Sequence, residues 1–234
     1  GGSSGGIGIG RNVLNAFSGQ KLEDTCEIIK GRKPLGKGSF GTVWAAKLKN
    51  GKMAAVKALD KRRMKELKVP DSLVKAEVDL MREVSGKAEF VQLIDFVDTS
   101  ASFFLVLEFC DGGDLEDATK ADQDKLGERQ VASFIKQMLE GLAHLHAKTI
   151  CHRDIKPQNA MVVGRATSER AKVKLGDFGI AVKLPRDQLM KEKVGTPAFM
   201  APEMHLLPGR SAGYDHKVDL WAMGAVMVFL LAHE

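Results

Sequence analysis

An α+β fold in two parts is predicted by the way strand and helix patterns are distributed along the 234 residues. Before residue 110, short runs of β-branched and aromatic residues alternate with turn signals, whereas long helical periodicities dominate after it. Asp111-Gly112-Gly113 interrupts the chain between the two patterns. With 44% hydrophobic residues the chain can bury a substantial core. We therefore expect a β-rich domain at residues 28–110 and a mainly helical domain at residues 111–234.

Residues 1–27 are set apart from both domains by their composition. Six of the first ten residues are Gly and two are Ser, which is typical of a flexible linker. We therefore predict a flexible Gly-rich segment here and exclude it from the fold.

The first domain is expected to be a small antiparallel sheet with one helix. Candidate strands are residues 28–35, 42–48, 53–59, 90–96 and 103–109. Asn50-Gly51, between the second and third strands, is a strong hairpin signal. A helix is predicted from Pro70 to about Gly86, because apolar residues repeat there at helical spacing, and Glu77 lies on it.

The second domain is expected to be built around a helix over residues 128–147. Its apolar residues fall on one face: Val131, Phe134, Ile135, Met138, Leu139, Leu142 and Leu145. Two short strands, 161–163 and 173–175, flank a polar loop. Residues 220–232 are nearly all apolar but too few to cross a bilayer core of about 30 Å, so they are interpreted as a buried helix.

The formal net charge of +5 favours acidic partners in general. Nucleic acid is an alternative, but the sequence has a single Tyr and no basic run interleaved with aromatic residues, so bases would find few side chains on which to stack. The cluster Lys61-Arg62-Arg63, with Lys65 and Lys68, is interpreted as a solvated helix face. We expect neither nucleic acid nor a membrane as a partner.

The three cysteines, Cys26, Cys110 and Cys151, are odd in number and have no CxxC spacing. This pattern favours neither a disulfide framework nor a zinc site. It fits a reducing compartment, so we expect a cytoplasmic location without excluding the nucleus.

Gly36-Lys37-Gly38-Ser39-Phe40-Gly41 places glycines where a backbone could approach phosphate oxygens with its amides. A dinucleotide-binding fold shares this glycine spacing but requires a helix directly afterwards. Here Thr42-Val43-Trp44 follows, which favours a strand and a hairpin.

Residues 152–159, called the catalytic loop below, and Asp177 carry the polar groups that phosphoryl transfer requires. Asp154 can orient a hydroxyl nucleophile, and Lys156 can neutralise charge on the transferred group. Asn159 and Asp177 can hold Mg²⁺ through oxygen ligands. His152 is interpreted as structural.

Six features in a fixed order resemble protein kinases over residues 28–232: the glycines 36, 38 and 41 with Val43, then Lys57, Glu77, the catalytic loop, Asp177, and Ala201-Pro202-Glu203. The resemblance implies a two-lobe kinase fold, with ATP and Mg²⁺ as cofactors and proteins as substrates. It also implies one of two alternatives for the large lobe, whose central helix begins at Asp219. Either the sequence is a fragment, or the lobe is incomplete after this helix and the apolar face of Val226, Phe229 and Leu230 is exposed or covered by a partner. The aspartate of that helix is expected to brace the catalytic loop.

The resemblance assigns further roles in nucleotide binding. Lys57 is expected to contact the α- and β-phosphates and to pair with Glu77. Backbone groups of Glu108 and Cys110 are expected to bind adenine, with Leu107 as the gatekeeper, and Asp114 to meet the ribose or a basic substrate residue. The residues expected to hold the ring are Leu35, Val43, Ala55 and Met161. These four could equally be core residues, and Asp114 could equally be a helix N-cap.

Lys156 together with Thr196 resembles the serine/threonine kinases, and residues 195–203 resemble the calcium/calmodulin-regulated group. Because the sequence has no EF-hand spacing, any calcium sensing is expected in a regulatory domain or subunit outside this chain. A nucleotide-binding scaffold with little catalysis is the alternative function.

Arg153 precedes Asp154, and in related kinases such an arginine binds a phosphorylated residue of the activation loop. Residues 180–194 contain no Ser, Thr or Tyr, and Glu192 occupies the position four before Thr196. We hypothesise that Glu192 pairs with Arg153 as a permanent acidic substitute. The alternative is that Glu192 is only a solvent-exposed side chain.

Overall fold

The computed structural model describes residues 20–121, 126–185 and 188–232. Among these, residues up to 78 together with 92–109 form one compact unit, and residues 79–91 together with those from 110 onward form another. The sequence placed the boundary one residue later, between 110 and 111, and did not assign 79–91 to the second unit.

The first unit contains a six-stranded antiparallel sheet. Its strands are β1 (Cys26–Ile28), β2 (Gly36–Lys37), β3 (Gly41–Leu48), β4 (Met53–Asp60), β5 (Leu93–Asp98) and β6 (Ser102–Glu108). They lie in the order β1-β3-β4-β6-β5, and β2 pairs with β3. Helices α1 (Gln20–Thr25) and α2 (Lys61–Glu66) belong to this unit, and α3 (Asp71–Glu83) begins in it.

The predicted hairpin at Asn50-Gly51 is confirmed. Gly51 adopts φ +85°, a left-handed conformation that glycine tolerates at little cost. The Asn50 side chain accepts a hydrogen bond from the Lys52 amide at 3.0 Å. This turn sets the register that places Lys57 opposite Val43.

The start of the first unit differs from the prediction in two places. The predicted strand 28–35 is wrong, because β1 ends at Ile28 and a turn with Gly31 at φ +81° separates it from β2. The prediction of a flexible segment is also wrong for residues 20–27, since α1 and β1 form there and Leu22 and Cys26 enter the core. Residues 1–19 lie outside the described residues.

The predicted strand 90–96 also begins too early. Strand β5 starts at Leu93, and Phe90 instead forms a bridge with Leu175 in the second unit.

The basic cluster that follows β4 lies on α2, where Arg62, Arg63 and Lys65 are exposed, as predicted for a solvated face.

The second unit is mainly helical. Its helices are α4 (Leu115–Ala121), α5 (Glu128–Ala147), α6 (Pro202–His205) and α7 (Lys217–Ala232), with 3-10 turns at Pro157–Asn159 and Pro197–Phe199. Its short strands are β7 (Ile150–Cys151), β8 (Ala160–Val163), β9 (Lys172–Leu175) and β10 (Val182–Lys183). Helix α5 has the predicted bounds and buries most of its predicted face, but Leu139 is 40% exposed. Strands β8 and β9 each start one residue before the prediction.

Helix α7 exposes a different face from the one predicted. Val226 and Leu230 are buried, so their predicted exposure is wrong. Its exposed apolar residues are Leu220, Trp221, Met227, Val228 and Leu231. Because the helix is apolar on all sides, its sequence does not indicate which face meets the core. Across the described ranges, no helix combines the length and apolar character needed to cross a membrane.

Candidate active site

Lys57 and Glu77 form an ion pair in the first unit. Strand β4 holds Lys57 between Val43 on β3 and Leu105 on β6, and α3 presents Glu77. The distance from Lys57 Nζ to Glu77 Oε1 is 2.7 Å, and the Glu77 side chain is only 5% exposed. A carboxylate this deeply buried requires a partner. The predicted pair therefore forms, and it fixes the position of the ammonium group.

The predicted adenine-binding residues of the first unit lie around Lys57 on the sheet. Directly opposed residues of antiparallel strands point to the same face, and so do residues two apart along one strand. Val43 is opposite Lys57, and Ala55 is opposite Leu107, which places all four side chains on one face. Leu35 is 51% exposed, and its amide donates to the carbonyl of Val43.

The three glycines of the turn between β2 and β3, Gly36, Gly38 and Gly41, differ in the space available for a side chain. A Cβ at Gly41 would lie 2.5 Å from Leu59 Cδ2 and 2.8 Å from the Ala58 carbonyl oxygen, so sheet packing requires glycine there. At Gly36 and Gly38 a Cβ would meet no atom of the described residues closer than 3.8 Å. Packing against the described residues does not explain these two glycines, whereas close approach of a ligand to the backbone would.

Glu108 and Cys110 were both expected to contact adenine through their backbone. The Glu108 amide donates to the Gln92 carbonyl at 2.9 Å and is therefore engaged in the first unit. An adenine contact at Glu108 would thus use its carbonyl group. Cys110 belongs to the second unit, where its carbonyl accepts from the Gly113 amide at 3.4 Å.

Asp114 caps helix α4. Its carboxylate accepts a hydrogen bond from the Asp117 amide at 2.8 Å, so the N-cap interpretation is confirmed. Burial raises the pKa of this carboxyl group, although the hydrogen bond from Asp117 opposes the rise. Asp114 also pairs through its backbone with the half-buried Met161 of β8. Contacts of either residue with a nucleotide or a substrate stay predictions.

Asp154 is surrounded by donors in the second unit. Its Oδ1 accepts from the Thr196 amide at 3.0 Å and from Thr196 Oγ1 at 2.7 Å. Its Oδ2 lies 2.7 Å from Lys156 Nζ and accepts from Asn159 Nδ2 at 2.9 Å. Lys156 Nζ also donates to Thr196 Oγ1 at 2.8 Å. The structure thus brings together four side chains that the sequence predicted for one site.

Asp219, in the first turn of α7, binds the backbone of the catalytic loop, as the resemblance implied. Its carboxylate accepts from the amides of His152 and Arg153, each at 2.9 Å, and lies 2.9 Å from His146 Nε2. Burial alone would raise the pKa of this carboxyl group, but the hydrogen bonds and the nearby histidines outweigh it and hold the pKa below 3.8. The hydrogen bond from the Arg153 amide to Asp219 holds the backbone at Arg153, which adopts a left-handed φ of +66°.

His152 has a structural role, as predicted. Its Nε2 lies 3.0 Å from the Gly176 carbonyl oxygen and must donate to it, while Nδ1 accepts from the Asp154 amide at 3.3 Å. Its ring also contacts Phe178, with 5.4 Å between the ring centroids. One buried imidazole therefore fixes the catalytic loop relative to the strand end that carries Asp177.

Asn159 and Asp177 fit the donor chemistry of a Mg²⁺ site. The Gly176 amide donates to the Asn159 carbonyl at 2.9 Å, which places the two residues on adjoining backbone segments. The Asn159 side chain donates both bonds through Nδ2, to the carbonyl and the carboxylate of Asp154, so its Oδ1 points to the opposite side. Asp177 is exposed and adopts φ +57°. An amide oxygen and a carboxylate are ligands that Mg²⁺ accepts.

Arg153 and Glu192 are in contact, with 3.4 Å between Arg153 Nη1 and Glu192 Oε2. Sequence reasoning did not identify Tyr214, whose hydroxyl group lies 3.5 Å from Arg153 Nη1. It also did not identify His146 as a partner of Asp219. No local pattern marks either residue, because both contacts join segments more than sixty residues apart.

Comparison with known proteins gives consistent matches. Residues 29–234 match the family model described as protein kinase domain. The chain is 34% identical to calcium-dependent protein kinase 5 of Plasmodium berghei (strain Anka), over 90% of this chain and 35% of that protein. It is 35% identical to serine/threonine-protein kinase ATG1a of Arabidopsis thaliana, over 84% of this chain and 30% of that protein. It is 34% identical to death-associated protein kinase dapk-1 of Caenorhabditis elegans, over 92% of this chain and 15% of that protein. The chain thus spans about a third or less of the length of these relatives.

Proposed function

This chain belongs to the protein kinase family, and we propose that it transfers the γ-phosphoryl group of ATP to serine or threonine hydroxyl groups of proteins. The observation that carries the proposal is the fixed carboxylate of Asp154, held by Thr196, Lys156 and Asn159 at 2.7–3.0 Å. The name of one relative, serine/threonine-protein kinase ATG1a, supports the choice of acceptor.

The residues of the catalytic loop supply orientation and charge. A substrate hydroxyl that hydrogen-bonds to the Asp154 carboxylate would be held in one direction, and the carboxylate can accept its proton. Lys156, which contacts this carboxylate at 2.7 Å, would place its positive charge beside the transferred group. No covalent intermediate with the protein is required.

Each unit, taken by itself, carries groups that suit the nucleotide or its metal. The ammonium group of Lys57 suits phosphate oxygens, and a ligand could approach the backbone closely at Gly36, whereas the Gly38 amide already donates to the Gly41 carbonyl at 2.9 Å. Asn159 and Asp177 suit Mg²⁺, which neutralises phosphate charge when bound. We further propose that a regulatory domain or partner outside this chain controls the kinase. We also propose that the kinase works in the cytoplasm, without excluding the nucleus.

One observation favours a second function, that of a nucleotide-binding scaffold. A carboxylate offers about four acceptor positions, and Asp154 already receives donors from the Thr196 amide, the Thr196 hydroxyl group, Lys156 and Asn159. A substrate hydroxyl would have to displace one of them. Asn159 Nδ2 can give up its bond to the carboxylate and keep its bond to the Asp154 carbonyl at 2.9 Å, so the kinase function is preferred.

Phosphate transfer from radiolabelled ATP and Mg²⁺ to peptide libraries containing either Ser and Thr or Tyr tests the proposal. We expect labelling of the Ser/Thr library only. Lys57→Met should reduce it on the order of 10²-fold, while Lys52→Met, at an exposed lysine of the β3–β4 turn, should not. Nucleotide binding without any labelling would support the scaffold instead.

A further inference from the structure

Most of the net positive charge of the chain is concentrated in residues 61–75, called the basic segment below. The segment contains six Lys or Arg residues and two Asp or Glu residues, so it carries a net charge of +4, against +5 for the whole chain. It consists of helix α2, a turn and the first residues of α3, all within the first unit. Charge of one sign on so short a stretch attracts partners of the opposite charge.

Carboxylates within the first unit neutralise only part of this charge. Lys61 pairs with Asp98 at 2.5 Å, and Lys75 lies 3.9 Å from the same carboxylate. Arg62 pairs with Glu66 at 3.3 Å, but both of these side chains are exposed. Three further exposed cations have no carboxylate partner among the described residues: Arg63, Lys65 and Lys68.

The basic segment is anchored to the first unit, so its cations are held at the surface in fixed positions. The Asp60 side chain caps the start of α2 by accepting a hydrogen bond from the Arg63 amide at 3.1 Å. Met64 on α2 and Val74 on α3 are buried. The segment thus presents its charges without having to be ordered by a ligand, which lowers the cost of binding.

Lys68 occupies a position where glycine is the usual residue. Its amide donates to the Lys65 carbonyl at 3.1 Å, and the Val69 amide donates to the Met64 carbonyl at 2.8 Å. Helices that end with this hydrogen-bond pattern commonly have glycine in the left-handed conformation, which Lys68 adopts with φ +56°. This conformation is unfavourable for a residue with a Cβ. A lysine here therefore indicates a use for its charge.

Two exposed leucines lie among these cations. Leu67 is 51% exposed and Leu73 is 48% exposed. The Leu67 amide donates to the Arg63 carbonyl at 3.0 Å, so their side chains are neighbours one helical turn apart. The surface therefore offers an apolar contact directly beside an unpaired positive charge.

The chemistry of the basic segment favours a protein as its partner. The segment contains no aromatic residue, so nucleic-acid bases would find no side chain on which to stack. Met64, the apolar residue on the inner side of α2, is buried in the protein and cannot insert into a bilayer. Glu66 and Asp71 are exposed and would repel an anionic membrane, whereas a peptide can place its own cations beside them.

We propose that the basic segment is a docking surface for an acidic segment of a partner protein. Carboxylates of the partner pair with Arg63, Lys65 and Lys68, and an apolar side chain of the partner packs against Leu67. This interaction goes beyond the proposed function and does not depend on phosphate transfer.

The first test measures, by fluorescence anisotropy, how the full chain binds a fluorescein-labelled peptide of repeated Glu-Glu-Leu units. We expect binding that weakens as the NaCl concentration rises. Arg63→Glu combined with Lys65→Glu should weaken it about tenfold or more, because each reversal replaces an attraction by a repulsion. The matched control is Lys49→Glu combined with Lys52→Glu, at exposed lysines of the β3–β4 turn, which should change binding little. No binding by the wild type, or an equal loss in both double variants, would overturn the proposal.

The second test separates docking from stability. Lys68→Gly removes the charge and suits the left-handed backbone, so it should weaken peptide binding without lowering the free energy of unfolding measured in urea. Leu67→Ser should also weaken binding, because it removes the apolar contact. If both variants bind the peptide like the wild type, the proposal is wrong. Tighter binding of the wild type to phosphatidylserine vesicles or to duplex DNA than to the peptide would likewise overturn the assignment to a protein partner.

Discussion

At the scale of single residues, Thr196 is the side chain on which the site most visibly depends. Its hydroxyl group donates to the Asp154 carboxylate at 2.7 Å and accepts from the Lys156 ammonium group at 2.8 Å, so it links these two side chains of the catalytic loop. The sequence predicted that Asp154 and Lys156 share one site, because they lie two residues apart in the same loop. The contribution of Thr196 came only from family resemblance, because forty residues separate it from Lys156.

Replacing Thr196 tests this link. Thr196→Ala removes a hydrogen bond to a charged group, which is worth about 1.5–3 kcal/mol, so kcat should fall by about ten- to hundredfold. Thr196→Ser keeps the hydroxyl group and should retain most of the activity. The kcat of the three proteins with one peptide substrate measures the effect. Equal activity of the alanine and serine variants would mean that the hydroxyl group has no part in catalysis.

At the scale of secondary-structure elements, the sequence predicted those with strong local patterns. Helix α5 has its predicted bounds because seven apolar residues mark one face. The face of α7 was predicted wrongly, since its apolar residues surround the helix and only tertiary packing selects Val226 and Leu230 for burial. The strand expected at 28–35 failed for a local reason, the turn at Gly31.

The glycine turn gives a prediction at this scale, because its glycines have different physical roles. Gly41→Ala should lower the free energy of unfolding by about 1–3 kcal/mol, since the new methyl group would overlap Leu59 and the Ala58 carbonyl. Gly36→Ala has space for the methyl group and should leave stability nearly unchanged while weakening ATP binding. Urea unfolding and ATP calorimetry on both variants measure this contrast. Full ATP affinity in Gly36→Ala would argue against a phosphate contact at Gly36.

At the scale of the whole molecule, the second unit is organised around one buried carboxylate. Asp219 joins α7, α5 and the catalytic loop through His146, His152 and Arg153. The pKa of this carboxyl group is held below 3.8 in the folded protein. Its ionised form therefore stabilises the fold at pH values above 3.8, and that stabilisation is lost as the pH falls through the lowered, folded-state pKa.

This linkage predicts how Asp219→Asn behaves with pH. At pH 7 the variant should be less stable than the wild type by about 3 kcal/mol, because three donors lose a charged acceptor. The difference should shrink as the pH falls below about 4, where the wild type begins to lose the same contribution. Urea unfolding over a pH series measures it, with Asp79→Asn as control because Asp79 is 74% exposed. A stability difference that stays constant with pH would contradict the role given to Asp219.

In the proposed function Asp154 acts on a substrate hydroxyl, and this is tested by comparing the wild type with Asp154→Asn for both ATP binding and phosphate transfer. We expect similar ATP affinity in the presence of Mg²⁺ and a loss of transfer on the order of 10²-fold or more in the variant. Equal transfer by the two proteins, or ATP binding by the wild type with no transfer at all, would contradict it.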